Sequence, residues 1–265
     1  MAWTKAKTAI VVGAGILLAA GTTTVTVKEV HRHQNAEWQL GEISSKYLFK
    51  PPYRTIILPT RSAERSRRNG TGGAASMGDG RLYGVNASVA DILRWAFPDG
   101  RNVLSPARTV RVTSLTTNRY DYFSNVPQSS REALQREIKS RFGLVGRFET
   151  IDTNILSLRI RASGAQGLLP STSSTGSSSF GNGSMSVVNE TMDDLAFSLE
   201  MSLGIPVVNQ TGLTNAFDFK LSWGNFADDN PDPDALKQAL TEELGLELVP
   251  ARASLKMLVV EKAGK

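Results

Sequence analysis

The sequence predicts an α+β protein of two related helix-strand-helix-strand-strand modules behind an N-terminal membrane segment, and three observations predict it. The first is a recurrence. Tyr120-Asp121-Tyr122, a helical stretch from Glu132 to Phe142 closing on Phe142-Gly143-Leu144, and an apolar strand around Ile155 to Ile160 return as Phe217-Asp218-Phe219, Asp234 to Leu244, Leu244-Gly245-Leu246 and Met257 to Val260. From Glu132 and Asp234 onward the two align without a gap, so that Leu134 matches Leu236, Gly143 matches Gly245 and Leu156 matches Leu258. Self-similarity of this kind marks one supersecondary unit used twice. The second observation is a low-complexity Ser/Gly stretch, residues 168–184, between the copies; the third is an uncharged run, Thr8 to Val27, ahead of them.

With 265 residues, 40% of them hydrophobic, the chain is long enough to bury a core. Having no cysteine, it forms no disulfide and offers no thiolate ligand or thiol nucleophile. The net charge of +5 is unevenly spread: residues 82–265 carry 18 Lys+Arg against 20 Asp+Glu, whereas residues 50–81 carry 7 against 2. The folded part is therefore slightly acidic, and no nucleic-acid partner is expected.

In chain order, residues 1–30 read as a membrane anchor or signal segment. The run from Thr8 to Val27 reaches the roughly 20 residues that a helix needs to cross a bilayer core. Lys5 and Lys7 before an apolar stretch, with Ala19 and Gly21 placed like a cleavage site, also fit a signal peptide. The charges on the two sides do not decide orientation, but a short N-terminal tail is easily retained in the cytoplasm, placing the rest outside. Residues 31–81 read as a stalk and basic loop with one short edge strand in the stretch Pro51 to Pro59, whose apolar residues lie between prolines. His31 and His33, the only histidines, read as solvated residues. Arg61 to Gly80 lacks aromatic residues to stack on bases and reads as a loop.

The first module, residues 82–167, opens with a helix capped from Asn86-Ala87-Ser88 that presents Val89, Ile92, Leu93 and Ala96, stopped by Pro98-Asp99-Gly100. Val110 to Leu115 and Tyr120 to Phe123 are β-rich. Ser129-Ser130-Arg131-Glu132 has the capping-box spacing, Leu134, Ile138 and Phe142 form one stripe, and Gly143 stops the helix. Leu144 to Phe148 and Ile155 to Ile160 are expected to form a hairpin through Asp152-Thr153-Asn154. Residues 168–184 are expected to be a flexible linker. The second module, residues 185–262, has a helical face of Met192, Leu195, Ala196, Leu199 and Leu203 ended by Gly204. A strand, turn and strand follow from Ile205 to Trp223, then a helix capped by Asp232 with Pro233, and strands to Val260.

Pro206-Val207-Val208, Thr211-Gly212-Leu213, Phe217-Asp218-Phe219, Trp223, Leu244-Gly245-Leu246 and Leu258-Val259-Val260, with Tyr120-Asp121, Arg141-Phe142-Gly143-Leu144 and Gly167-Leu168 in the first copy, resemble the soil-associated bacterial family, a domain of unknown function of the 3738 type. The resemblance spans residues 50–262. It departs at Asn209 and Asn215, where Asp and Gly would be expected, and at Phe217, where Tyr would be. It implies no catalytic or binding residues, since the family has none assigned. The element order is also similar in pattern to the short N-terminal domain of secretins and TonB-dependent receptors.

No Ser/His/Asp set, dinucleotide glycine motif or phosphate loop is present. The carboxylate run from Asp228 to Asp234 lacks the EF-hand glycine and carries Ala239 where the bidentate Glu would fall, so it reads as a solvated loop before a helix. No catalytic, cofactor-binding or metal residue is expected. Asp121 and Asp218, each between aromatic residues, read as outer-face acids or turn-bracing groups, and as a catalytic pair only if they share a cleft. The expected function is a non-enzymatic protein-interaction module, membrane-anchored through residues 8–27 with its folded part outside the cytoplasm. Its partner would be an extended peptide or another envelope protein. The alternative is a hydrolase or small-ligand-binding protein using Asp121 and Asp218.

Overall fold

The computed structural model describes residues 52–60, 74–76, 80–181, 183–224 and 232–264. The expected membrane run 8–27, both histidines, the basic residues 61–73 and most of the acidic run 228–231 lie outside the described residues. Among the described residues no helix is long and apolar enough to cross a membrane.

The chain is α+β. Its first half runs β1 (Thr55–Pro59), β2 (Ala74–Ser76), β3 (Leu82–Ala87), α1 (Val89–Ala96), a 3₁₀ turn (Pro106–Arg108), β4 (Thr109–Arg111), β5 (Tyr120–Ser124), α2 (Ser130–Phe142) and β6 (Leu144–Ile160). The second half runs β7 (Leu169–Pro170), β8 (Ser177–Gly181), β9 (Ser184–Thr191), α3 (Met192–Leu203), β10 (Val207–Asn209), β11 (Ala216–Ser222), α4 (Pro233–Glu243) and β12 (Leu246–Lys262). Each half thus reads strand-helix-strand-strand-helix-strand after its edge strands, and so differs from the expected helix-strand-helix-strand-strand module by a strand at its start, a second strand between the helices and one long strand in place of two at its end.

Three four-stranded sheets result, ordered β1-β5-β3-β2, β10-β6-β12-β4 and β7-β11-β9-β8. The first and third have equivalent orders, and the second is made by both halves. In it β6 and β12 run antiparallel, while β10 lies parallel to β6 and β4 parallel to β12. Leu156 faces Pro250 and Leu258 faces Phe148; the pairing is symmetric about Asp152 and Ser254, whose side chains hydrogen-bond to each other. The expected hairpin at Asp152-Thr153-Asn154 is therefore corrected to unbroken strand, and so is the matching split in β12. Opposite these turn-forming residues stands a partner strand. Arg252 donates to Asn154 and Ser254 to Asp152, so the side chains that could have braced a turn are engaged across the ladder. Likewise β10 and β11 do not pair with each other, because β10 leaves for the central sheet.

Burial follows the exchange. One core collects Leu82, Ile92, Leu93, Tyr122, Leu134 and Ile138 together with Leu258 and Val260 of β12. The other collects Met192, Leu195, Phe217, Phe219, Leu236 and Leu240 together with Leu156 and Leu158 of β6. Residues 168–184, expected as a linker, carry β7 and β8, held by backbone pairing to β11 and β9 rather than by burial of their own side chains.

Local signals explain the helices. Ser88 caps α1 and Thr191 caps α3, each in a reciprocal box with the third helical residue, Asp91 or Asp194. Gly143 and Gly204 end α2 and α3 at left-handed φ of 61° and 66°, and Asp232 caps α4 ahead of Pro233. The capping box expected at Ser129 is absent: at ψ 24° its backbone is not extended and its hydroxyl does not reach the helix N–H groups. The next residue anchors the helix instead, Ser130 Oγ donating to the carbonyls of Ser124 and Val126.

Candidate functional site

Asp121 and Asp218 occupy equivalent places on different sheets. Asp121 Oδ1 accepts from the Asn86 N–H at 2.8 Å and the Thr60 hydroxyl at 2.7 Å. Asp218 Oδ1 accepts from the Asn189 N–H at 2.8 Å, and the Ser171 hydroxyl followed by that N–H holds its carboxyl below the usual range. Asn86 and Asn189 both have φ of 54°, where the ladders between β3 and β5 and between β9 and β11 shift register. Each carboxylate therefore braces a left-handed bulge, with its first oxygen spent on that task. The two do not face one cleft.

The charged groups that do converge lie where the halves meet. The 3₁₀ turn carries Arg108 onto the buried face of α3, where Nε and Nη2 clamp both oxygens of Glu200 at 2.8–3.0 Å. Glu200 is 1% exposed and also accepts from the Val207 N–H at 3.0 Å. The hydrogen bonds to Glu200 raise Arg108 above its usual value. A pair this buried stabilises little in net terms, but losing one partner strands a charge. Beside it Arg101 reaches Asp194 at 3.1 Å and lies 4.5 Å over the Phe197 ring, and Asn209 Nδ2 donates to Asp193 at 2.9 Å. Burial alone would raise the Asp194 carboxyl; hydrogen bonds from Thr191 and Arg101 outweigh it and hold it low. Arg101, Arg108, Asp193, Glu200 and Asn209, with Asp99, Val208 and Leu255, line a groove of about 280 Å³. The departure at Asn209 has a physical consequence, since an Asp there would set a second carboxylate against Asp193. Apart from Asn209, none of these groups stood out in the sequence for its chemistry. The usable signal was Glu200 itself, four residues after Ala196 on an otherwise apolar stripe.

The remaining feature is a sheet edge. All five residues of β8 are exposed, and nothing pairs with its outer side among the described residues. Phe180, opposite the buried Met185 and so on the core-facing side of the sheet, is 53% exposed. With Met185, Leu221 and Glu243 it borders a groove of about 460 Å³. Proteins usually blunt such edges with Lys, Pro or a bulge. The opposite edge, β7, is two residues long and contains Pro170, whereas β8 reads Ser-Ser-Ser-Phe-Gly.

These elements define an α+β protein of two topologically equivalent halves joined by a shared sheet. The chain matches the family described as "Protein of unknown function (DUF3738)" over residues 106–263, more than half its length, and belongs to that family. The match runs from the 3₁₀ turn through β12 and so takes in the whole central sheet. No curated protein and no solved structure matches the chain.

Proposed function

We propose that this protein is a non-enzymatic interaction module of the bacterial cell envelope that captures an extended peptide segment by strand addition at β8. One observation carries the reading: β8 is an unguarded, fully exposed edge strand with an aromatic side chain beside a groove. An added strand would satisfy the free backbone groups, and Phe180 would supply a pocket for one of its side chains. Anchoring through residues 8–27, with the folded part outside the cytoplasm of a soil-associated bacterium, completes the proposal. We also read the halves as copies of one duplicated module, on the strength of the equivalent sheet orders and the symmetric β6–β12 register. The hydrolase alternative finds no support in Asp121 and Asp218, which brace separate bulges.

Selection from a displayed random-peptide library tests the function. The expected binders are extended, protect the amides of residues 177–181 from hydrogen exchange, and weaken at least about tenfold with Phe180→Asp, the scale of one well-seated interface anchor. Binders that protect another surface and ignore Phe180→Asp would defeat the reading. Accessibility labelling of the C-terminus in intact cells tests the topology separately.

A further inference from the structure

We propose, resting on the strand-addition reading of β8, that the segment it captures is β8 of a second copy of this chain, the two strands running antiparallel about a two-fold axis at Ser179. The connection between Gly181 and Ser184 is two residues long, so that pair closes the hairpin with ladder hydrogen bonds. Bonding alternates along an antiparallel ladder. Ser179, paired with Ser186, therefore spends its N–H and C=O on β9, while those of Ser178 and Phe180 face the free edge. A two-fold axis at Ser179 sets Ser178 against Phe180 of the second copy, and Phe180 against its Ser178. Every outward N–H and C=O of these residues then finds a partner.

Side chains complement each other under the same operation. On the core-facing side, Phe180 lies in a row with Met185 and Leu221, and Ser178 in a row with Val187 and Phe219. Joining the edges carries the 53% exposed Phe180 ring over the small Ser178 toward Val187 of the second copy, so each ring covers the open margin of the other copy's core. On the other side, Ser179 lies in a row with Ser186 and Lys220. The two Lys220 backbones then stand five strand spacings apart, about 24 Å and beyond the screening length, and β8 itself carries no charge. An unrelated peptide would satisfy the same backbone groups. What favours a second copy is that one strand supplies both the large side chain and the small one that must lie opposite it. Assembly stops at two, because the edges left outside are both β7, two residues long and containing Pro170.

Because the chain has no cysteine, single substitutions in the full-length protein report this geometry directly. At the axis, residue 179 falls at a non-hydrogen-bonded pair with Cα atoms about 4.5 Å apart, inside the disulfide range, whereas the Cα atoms of residue 186 in the two copies are about 14 Å apart and outside it. Mild oxidation should therefore link Ser179→Cys into a dimer and leave Ser186→Cys, also exposed on the same face, unlinked. Sedimentation equilibrium should show the wild type dimerising in the micromolar range, as suits a small interface. Phe180→Asp should weaken that dimer at least about tenfold while still unfolding cooperatively. A wild-type chain monomeric throughout that range, a dimer that ignores Phe180→Asp, or equal linkage at positions 179 and 186 would overturn the proposal. Displayed peptides that still protect residues 177–181 in that event would leave strand capture standing with another partner, and their absence would end both readings.

Discussion

Asp121 is 2% exposed, and its carboxylate accepts the N–H of a residue held at left-handed φ. Asp121→Ala leaves that N–H unpaired inside the sheet and should cost about 1–3 kcal/mol, measured by urea unfolding, whereas Asp121→Asn keeps an acceptor and should cost less. Asp218 adds a pH dependence. Because its carboxyl is held below the usual range in the folded chain, its contribution is present above the unfolded value of about 3.9 and is lost as pH falls through the lower folded value. The stability gap between wild type and Asp218→Asn should therefore narrow on acidification below about pH 4. Tyr122 offers the opposite case. Its hydroxyl is buried without a partner and burial raises its pKa, so Tyr122→Phe should be neutral or stabilising. The equivalence of Asp121 and Asp218 was legible from the matching aromatic neighbours. Their partners were not, because the N–H groups of Asn86 and Asn189 meet these carboxylates across the sheet, from another strand.

Elements whose stability is local could be read directly. The stripes of Ile92 and Leu93, of Leu134 and Ile138, and of Leu236 and Leu240 fell on buried helix faces, and Gly143 and Gly204 stopped their helices, since four-residue spacing and a left-handed stop need no distant partner. Caps divide more finely. Ser88→Ala and Thr191→Ala should each cost about 1 kcal/mol, while Ser129→Ala should change chemical denaturation by less than about 0.5 kcal/mol despite its better-looking sequence motif. Strands were read less well for a complementary reason. Asp152-Thr153-Asn154 has turn composition, yet β6 continues through it, because seventeen residues of β12 pair along its whole length. A close packing contact was equally hidden: a methyl at Gly84 would intrude on the Tyr122 ring from the neighbouring strand, so Gly84→Ala should destabilise by about 1–3 kcal/mol through overpacking.

At the scale of the molecule, the recurrence in sequence identified two units but not the exchange between them, which depends on which half each long strand packs against. Neither half completes a core alone: the first takes Leu258 and Val260 from β12, and the second takes Leu156 and Leu158 from β6. Truncating either contribution should destabilise the whole chain in one transition. Leu156→Ala and Leu258→Ala, both at positions under 10% exposed, should each cost about 2–5 kcal/mol without splitting the unfolding curve. Cutting the chain in the turn between Ser163 and Gly164 is the stronger test. Fragments 1–163 and 164–265, studied separately, should each lack a cooperative thermal transition, since each exposes one long strand and lacks the apolar residues that close its core. Mixed, they should form a one-to-one complex that regains the transition, because β6 and β12 supply an antiparallel ladder along their full length and each restores the other's missing core residues. A cooperative transition in either isolated fragment would show that the exchanged strands are dispensable for folding, and the two halves would then stand as independent domains.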